Sequence, residues 1–411
     1  MRFDHPKKVL DLVDQLEAFM AAEVLPRARA WREAGLAGDY PPFVGEVQER
    51  AKAAGLWNLA VPNLPDDAPG LRLTNAEFAP LAEIMGRFMG APKAFNCHAP
   101  DVPNMIMLAD AATPEQRRLW LDPLLEGRAR SAFAMTEPAV ASSDATNIAT
   151  RIRREGGDYV ISGRKWFISG GGTADFHLIV GVTDPEAPNG RRHSVVIAPA
   201  NARGVRPIRP LSFLGYVEPG AGAWEVAYDD VRVPGENLLG AEGDGFRLGQ
   251  VRLGPARVHH CMRAIGHSET LIELMLTRAQ ERQAFGKAIA EYDSIQHMAA
   301  RSRIELEQAR LLTWKCAWSL DQSDFRAARQ EVSMIKVAVA ETYQRIADRA
   351  LQVFGAMGGS TDTPIADALA WARGLRIFDG PDEVHLRQIY RLEPKPAGTI
   401  AQSPHVLQPP A

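Results

Sequence analysis

Three cysteines in 411 residues, Cys97, Cys261 and Cys316, are too few, too scattered and odd in number for a disulfide framework. They fit a reducing compartment, and the expected location is the cytoplasm. Long apolar runs are missing too. Nothing approaches the roughly 18 residues that a membrane span needs, and the opening "MRFDHPKKVLDLVDQLEAFM" lacks the uninterrupted apolar stretch of a secretory signal. A net charge of −3 leaves no surplus of one sign to draw nucleic acid or a charged membrane surface. No phosphate loop and no cluster with metal-ligand spacing is found, so nothing points to P-loop chemistry or a metal centre.

What is present is ordinary globular composition, 46% hydrophobic and 24% charged, at a length that implies two or three domains. Residues 1–130 read as helices broken by Pro and Gly. Val9, Leu12, Val13, Leu16 and Phe19 recur at helical spacing, and Gly55 is a stop signal. Thr113 is an N-cap followed by Pro114 at the first helical position. From 131 to 245 the period shortens to two. "DFHLIVGVT", "HSVVIAPA" and "GAWEVAYDDVRVP" are short strands, and "GDYVISGRKWFISGG" reads as strand, tight turn, strand, which together predict an antiparallel β-barrel or sandwich. From 246 to 395 helical stripes return, one from Ile295 to Leu320 and another from Val332 to Val353. With helices near 258–282 and 382–392 they predict a four-helix bundle. Residues 396–411 form a Pro-rich tail expected to be an arm or disordered. The fold class is multidomain α+β, in the order α–β–α.

Five stretches can carry chemistry. "FAMTEPAVASSDATNI" opens the β region with hydroxyls and free backbone amides, or is simply a polar loop. "GRKWFISGG" places Trp166 and Phe167 on opposite faces of a strand, so that one can cover a planar ligand while the other packs inside. "ERQAFGKAI" offers an arginine able to clamp a phosphate or to cap a helix, and "QVFGAMGGS" offers close backbone amides or a plain helix end. "FDGPDEVH" is a turn at Gly380-Pro381 that either joins two helices or holds Asp379 at a pocket mouth as a base.

Each signal is weak alone, but in this order and spacing they resemble the acyl-CoA dehydrogenases, with the likeness running from about residue 10 to residue 395. The resemblance implies one FAD per subunit between the β region and the C-terminal helices. Met135 and Thr136 would meet the flavin edge, Phe167 would cover the ring, and Ser169 would bond near N5. Pro381 and Glu383 follow the base in the same cofactor-binding stretch. Arg282, Phe285, Gln352 and Gly355 would reach the FAD of a neighbouring subunit, which implies a homodimer or homotetramer. Ser143, Arg257 and Gly380 would touch the acyl-CoA.

Asp379 stands where most members of the family carry a glutamate base, and the family's other base position holds Ala256 here. Burial beside a flavin would give Asp379 a raised pKa. The implied reaction is α,β-dehydrogenation of an acyl-CoA, with electrons passed to an electron-transfer flavoprotein. The extra residue in "TEPAVASSD" and the Asp-Gly-Pro base motif resemble the branch whose members act on 4-hydroxyacyl-CoAs. Two other functions suit the same fold: a flavin oxidase or monooxygenase resembling nitroalkane oxidase, and a non-catalytic FAD-containing assembly factor.

Overall fold

Helices occupy the chain as far as Leu125 in the computed structural model, which describes residues 5–395 apart from 38–39, 63, 65, 218–221 and 323–326. The predicted Pro-rich tail lies outside the described residues. Local signals act where the sequence places them. Helix Lys7–Phe19 buries Val9 and Leu16. Gly55, with φ of 70°, closes helix Val44–Ala53: its N–H returns to the Lys52 carbonyl and that of Leu56 to the Ala51 carbonyl. Thr113 caps its helix in a reciprocal pair with Gln116. The Gln116 amide also donates to the carbonyls of Glu236 and Leu238, 2.7 Å each, tying these helices to the sheet.

Eight strands form one sheet: β1 (Ser131–Ala134), β2 (Arg151–Glu155), β3 (Asp158–Ser169), β4 (Phe176–Val182), β5 (His193–Pro199), β6 (Val205–Leu211), β7 (Ala223–Pro234) and β8 (Leu238–Leu239). The order is β6-β7-β3-β2-β4-β5-β8, with β1 beside β4. Most pairings are antiparallel, but β1 and β2 meet β4 in parallel. The stretch read as a hairpin around Gly163 is instead the single twelve-residue strand β3. Gly163 is there for space, since a Cβ would lie 2.4 Å from the Thr150 hydroxyl. The real hairpin turns at Gly156-Gly157, between β2 and β3.

The C-terminal region holds three long helices, Gly245–Glu281, Asp293–Gln322 and Arg329–Phe354. Two short ones follow: Asp382–Leu392, where the last helix is expected, and Ile365–Leu375, which is not among the predicted helices. The first long helix begins at Gly245 rather than near 258, because burial of Leu248, Arg252 and Ala256 outweighs the poor helix propensity of Gly249, Gly254 and Pro255. One apolar core runs from the N-terminal helices through one face of the sheet into these helices, and a second lies on the sheet's other face.

Where helix Asn75–Gly86 crosses the long helix, two glycines let the backbones touch. A Cβ on Gly266 would sit 1.8 Å from the Glu83 carbonyl oxygen, and one on Gly86 would sit 2.2 Å from that of Arg263. Neither obstacle is a movable side chain, so Gly266→Ala must push two helices apart. The expected loss is about 1–3 kcal/mol or more, read as a drop of several degrees in Tm. A Tm unchanged to within about one degree would show that this crossing is not tight.

Candidate active site

A cleft of about 1,910 Å³ opens between the loop after β1, the end of β3, the long helix and the turn at 376–381. Its first wall is built on a buried lysine. Lys165, with no exposed surface, donates to the carbonyls of Met135 and Val180 and to Glu137, each at 2.8 Å, which uses all three ammonium protons. Glu137 also accepts the N–H groups of Ala149 and Thr150. Burial pushes the Lys165 pKa down to about 8, against the opposing charge of Glu137. Burial alone would raise Glu137, but the charge and hydrogen bond of Lys165 hold it below its ordinary value. A carboxylate so occupied is no candidate base.

This pair fixes Met135 and Thr136 at the cleft. The Trp166 N–H donates to the Thr136 carbonyl at 3.0 Å. Between Lys165 and Ile168 the register of β3 against β7 slips, and Phe167 takes a left-handed φ of 50°. That bulge overturns the expected alternation: Trp166 and Phe167 both line the cleft, their rings edge to face at 5.1 Å, with Phe167 42% exposed. Ser169 and Ser143 line it too.

The second wall is one stripe of the long helix, Arg252, Ala256, His260, Ala264 and His267, flanked by Arg257 and Arg263. Arg252 is buried, donates to Asn104 at 2.7 Å and lies over the Phe133 ring. Its pKa is pushed down to about 10 by burial.

Against this wall stands the turn. Asp379 and Gly380 both have positive φ, 56° and 103°. Asp tolerates that conformation better than most residues, at a cost of about 1–2 kcal/mol, whereas at Gly380 a Cβ would come within 2.8 Å of the His385 ring. The turn is held by its carbonyls. That of Asp379 accepts from Arg257 Nε at 2.7 Å and from His385 Nε2 at 3.4 Å. That of Gly380 accepts from Lys336 at 3.3 Å, and Lys336 also donates to Leu375. The Asp379 carboxylate, Oδ2, meets His260 Nε2 at 3.3 Å.

The expected rise in the Asp379 pKa is not what this setting produces. Burial alone would raise it. The His260 hydrogen bond, with the charges of Arg252 and Lys336, outweighs burial and holds the carboxyl well below its usual range. His385 and His260 are themselves depressed by burial, His385 to about 3.

Of the other sequence-predicted residues, Arg257, Gly380 and Pro381 line the cleft. Glu383 does not; it is exposed on the first turn of the last helix. Arg282, Phe285, Gln352 and Gly355 also lie away from the cleft, on exposed surface. Arg278 sits over the Phe354 ring, which joins the ends of the two helices that carry them. Phe285 is 98% exposed at the tip of a small hairpin, with a φ of 51°. Sequence reasoning missed His260, Arg252 and Lys336. The spacing of three from Arg257 to His260 was the available signal for the first.

The comparisons with known proteins now decide the family. Three family models cover the chain in sequence: the acyl-CoA dehydrogenase N-terminal domain over residues 7–128, the middle domain over 132–231 and the C-terminal domain over 243–392. The chain belongs to the acyl-CoA dehydrogenase family. It is 46% identical to the Mycobacterium tuberculosis protein named "Probable acyl-CoA dehydrogenase FadE2", over 96% of this chain and 97% of that one. It is 45% identical to mouse acyl-CoA dehydrogenase family member 10, covering 94% of this chain but only 37% of that protein. The chain thus spans a minor part of some relatives and nearly all of others. A solved chain from Mycobacterium abscessus, also classed with acyl-CoA dehydrogenases, superposes with a TM-score of 0.91 at 41% identity, over 95% of this chain and 98% of that one.

The Lys165–Glu137 pair yields a prediction. Lys165→Met leaves a buried carboxylate unpaired, at an expected cost of about 3–5 kcal/mol, while Lys165→Met with Glu137→Gln recovers much of it. Equal losses in the single and double variants, measured by chemical denaturation, would contradict the pairing.

Proposed function

We propose that this member dehydrogenates an acyl-CoA thioester between Cα and Cβ to the trans-2-enoyl-CoA, with FAD in the cleft and an electron-transfer flavoprotein as the acceptor. The observation that carries this reading is Asp379: a carboxylate fixed on a clamped turn beside His260, in a cleft whose facing wall ends in the rings of Trp166 and Phe167. The residues fit the cofactor. The cleft is large enough for a dinucleotide and a thioester together, and Met135, Thr136, Phe167 and Ser169 present a loop edge, a ring and a hydroxyl side by side. Bound FAD would supply the acceptor for the hydride that leaves Cβ. Asp379 takes the Cα proton, and Arg257, His385 and Lys336 keep its turn from moving as it does so. Arg329, Arg387 and Arg391 line the cleft as well and would attract the phosphates of CoA.

The cleft is not purely apolar. His98 lines it, buried, with Nε2 3.4 Å from Asp101 and no partner on Nδ1 among the described residues. Such an acceptor favours an acyl chain that carries a hydroxyl, in keeping with the branch resemblance. Oxygen as the acceptor is the second reading, and the reoxidation rate in air separates the two: slow for a dehydrogenase, fast with peroxide release for an oxidase.

Asp379→Asn keeps size and polarity but cannot accept a proton. It should bind FAD and acyl-CoA yet lose anaerobic flavin bleaching by about 10²–10⁴-fold. Bleaching at near wild-type rate would remove Asp379 as the base. The exposed set of Arg282, Phe285, Gln352 and Gly355 is proposed to hold the FAD of a second copy, in a homodimer or dimer of dimers. Arg282→Ala should then lower FAD occupancy without lowering apoprotein Tm, and full FAD retention by a monomer in sedimentation would contradict the arrangement.

A further inference from the structure

His260 lies on the cleft-facing stripe of the long helix, its side chain 12% exposed, with its ring against Trp371 and Phe378 at centroid distances of 5.5 and 5.3 Å. Its two nitrogens have different partners. Nδ1 lies 2.9 Å from Nη2 of Arg263, and Nε2 lies 3.3 Å from Oδ2 of Asp379. A guanidinium has only donors, so Nδ1 must accept and therefore carries no proton. The neutral ring then has its proton on Nε2, where it can only donate to the carboxylate. Arg263 is itself anchored to the Cys97 carbonyl at 3.3 Å, beside the helix crossing at Gly86.

We propose that His260 is a positioning residue for the base, its Nε2–H holding Oδ2 of Asp379 so that Oδ1 is the oxygen presented to the Cα proton. Oδ1 makes no hydrogen bond among the described residues. The charged and titratable groups facing the pair come from three elements. The long helix supplies Arg252, Arg257 and Arg263; helix Arg329–Phe354 supplies Lys336; the last helix supplies His385 and Asp382. Asp382 is paired with Arg376, and burial keeps the neighbouring His259 and Cys261 neutral at pH 7. The cations act on Asp379 from a distance. His260 is the one side chain among the described residues that forms an ion pair or hydrogen bond with the carboxylate, so its loss is the change that Asp379 registers directly.

This inference rests on the proposed role of Asp379, and its test separates the two. In wild-type holoprotein labelled with ¹⁵N-histidine, and assigned by difference with His260→Gln, the His260 ring should show the neutral Nε2–H tautomer at pH 7. The Nδ1–H tautomer or a charged ring would overturn the proposal whatever the activity. In anaerobic flavin reduction by acyl-CoA, His260→Leu should lower the rate about 10–100-fold, as loss of one hydrogen bond to a charged group does. Its acid limb should also move up by about one pH unit or more. His260→Gln places an amide donor near the position of Nε2 and should restore most of the rate and the low-pH behaviour. Failure of Gln to rescue, with FAD retained, would overturn positioning by a donor. If no acyl-CoA bleaches the wild-type flavin while the tautomer is as stated, the functional reading fails and the hydrogen bond stands.

Discussion

Three side chains, two of them buried, hold two backbone carbonyls, and the candidate site depends on that contact. Arg257 and His385 clasp the carbonyl of Asp379, and Lys336 clasps that of Gly380, across a turn in which both residues have positive φ. A left-handed aspartate is strained and persists only where its surroundings over-determine it. Here the restraint comes from the long helix, from helix Arg329–Phe354 and from the last helix, so the turn registers the packing of the whole C-terminal region. Of these groups Lys336 also answers an electrostatic problem. A carboxylate this buried would ordinarily be driven toward its neutral form, and the contact with His260, with the charges of Arg252 and Lys336, keeps it ionised.

The opposite wall repeats the device with different chemistry. Lys165 spends its three protons on two carbonyls and on Glu137, and so fixes the loop that presents Met135 and Thr136. Both walls are therefore stiffened by a buried lysine directed at main chain rather than at a ligand. The ligand-facing groups are left to stand on rigid supports: Phe167 on a bulge pinned by β7, Ser169 at a strand end, Asp379 on a clamped turn. That division explains why Glu137, a buried acid in the same cleft, has no spare capacity for proton transfer.

Much of this was legible in the residues and some was not. The order of helices, strands and helices followed from the change of period, and the Thr113 cap, the Gly55 stop and the two long stripes sit where their signals put them. Asp379 stood out through its turn and its place in the family pattern. The long helix was read as starting near 258 because Gly249, Gly254 and Pro255 suppress its propensity, and that hid Arg252 and the stripe continuing to His260. Facing rings at Trp166 and Phe167 came from a bulge set by pairing with β7, a non-local event that alternation cannot foresee. The direction of the Asp379 pKa was misjudged for a related reason. The groups that lower it are distant in sequence: His260 lies 119 positions upstream and Lys336 43, and a lysine beside a helical stripe reads as solvent-facing until its partners are known.

The central claim is that this cleft removes a Cα proton from a bound acyl thioester. It can be tested with the FAD-loaded wild-type protein and a 3-thiaacyl-CoA, in which sulfur replaces Cβ and no hydride can leave. In D₂O, proton NMR should show the Cα signal of the bound analogue disappearing as deuterium replaces it, faster than in protein-free buffer by at least about 10²-fold. Cα protons that persist at the uncatalysed rate, with the analogue saturating the site, would contradict the account.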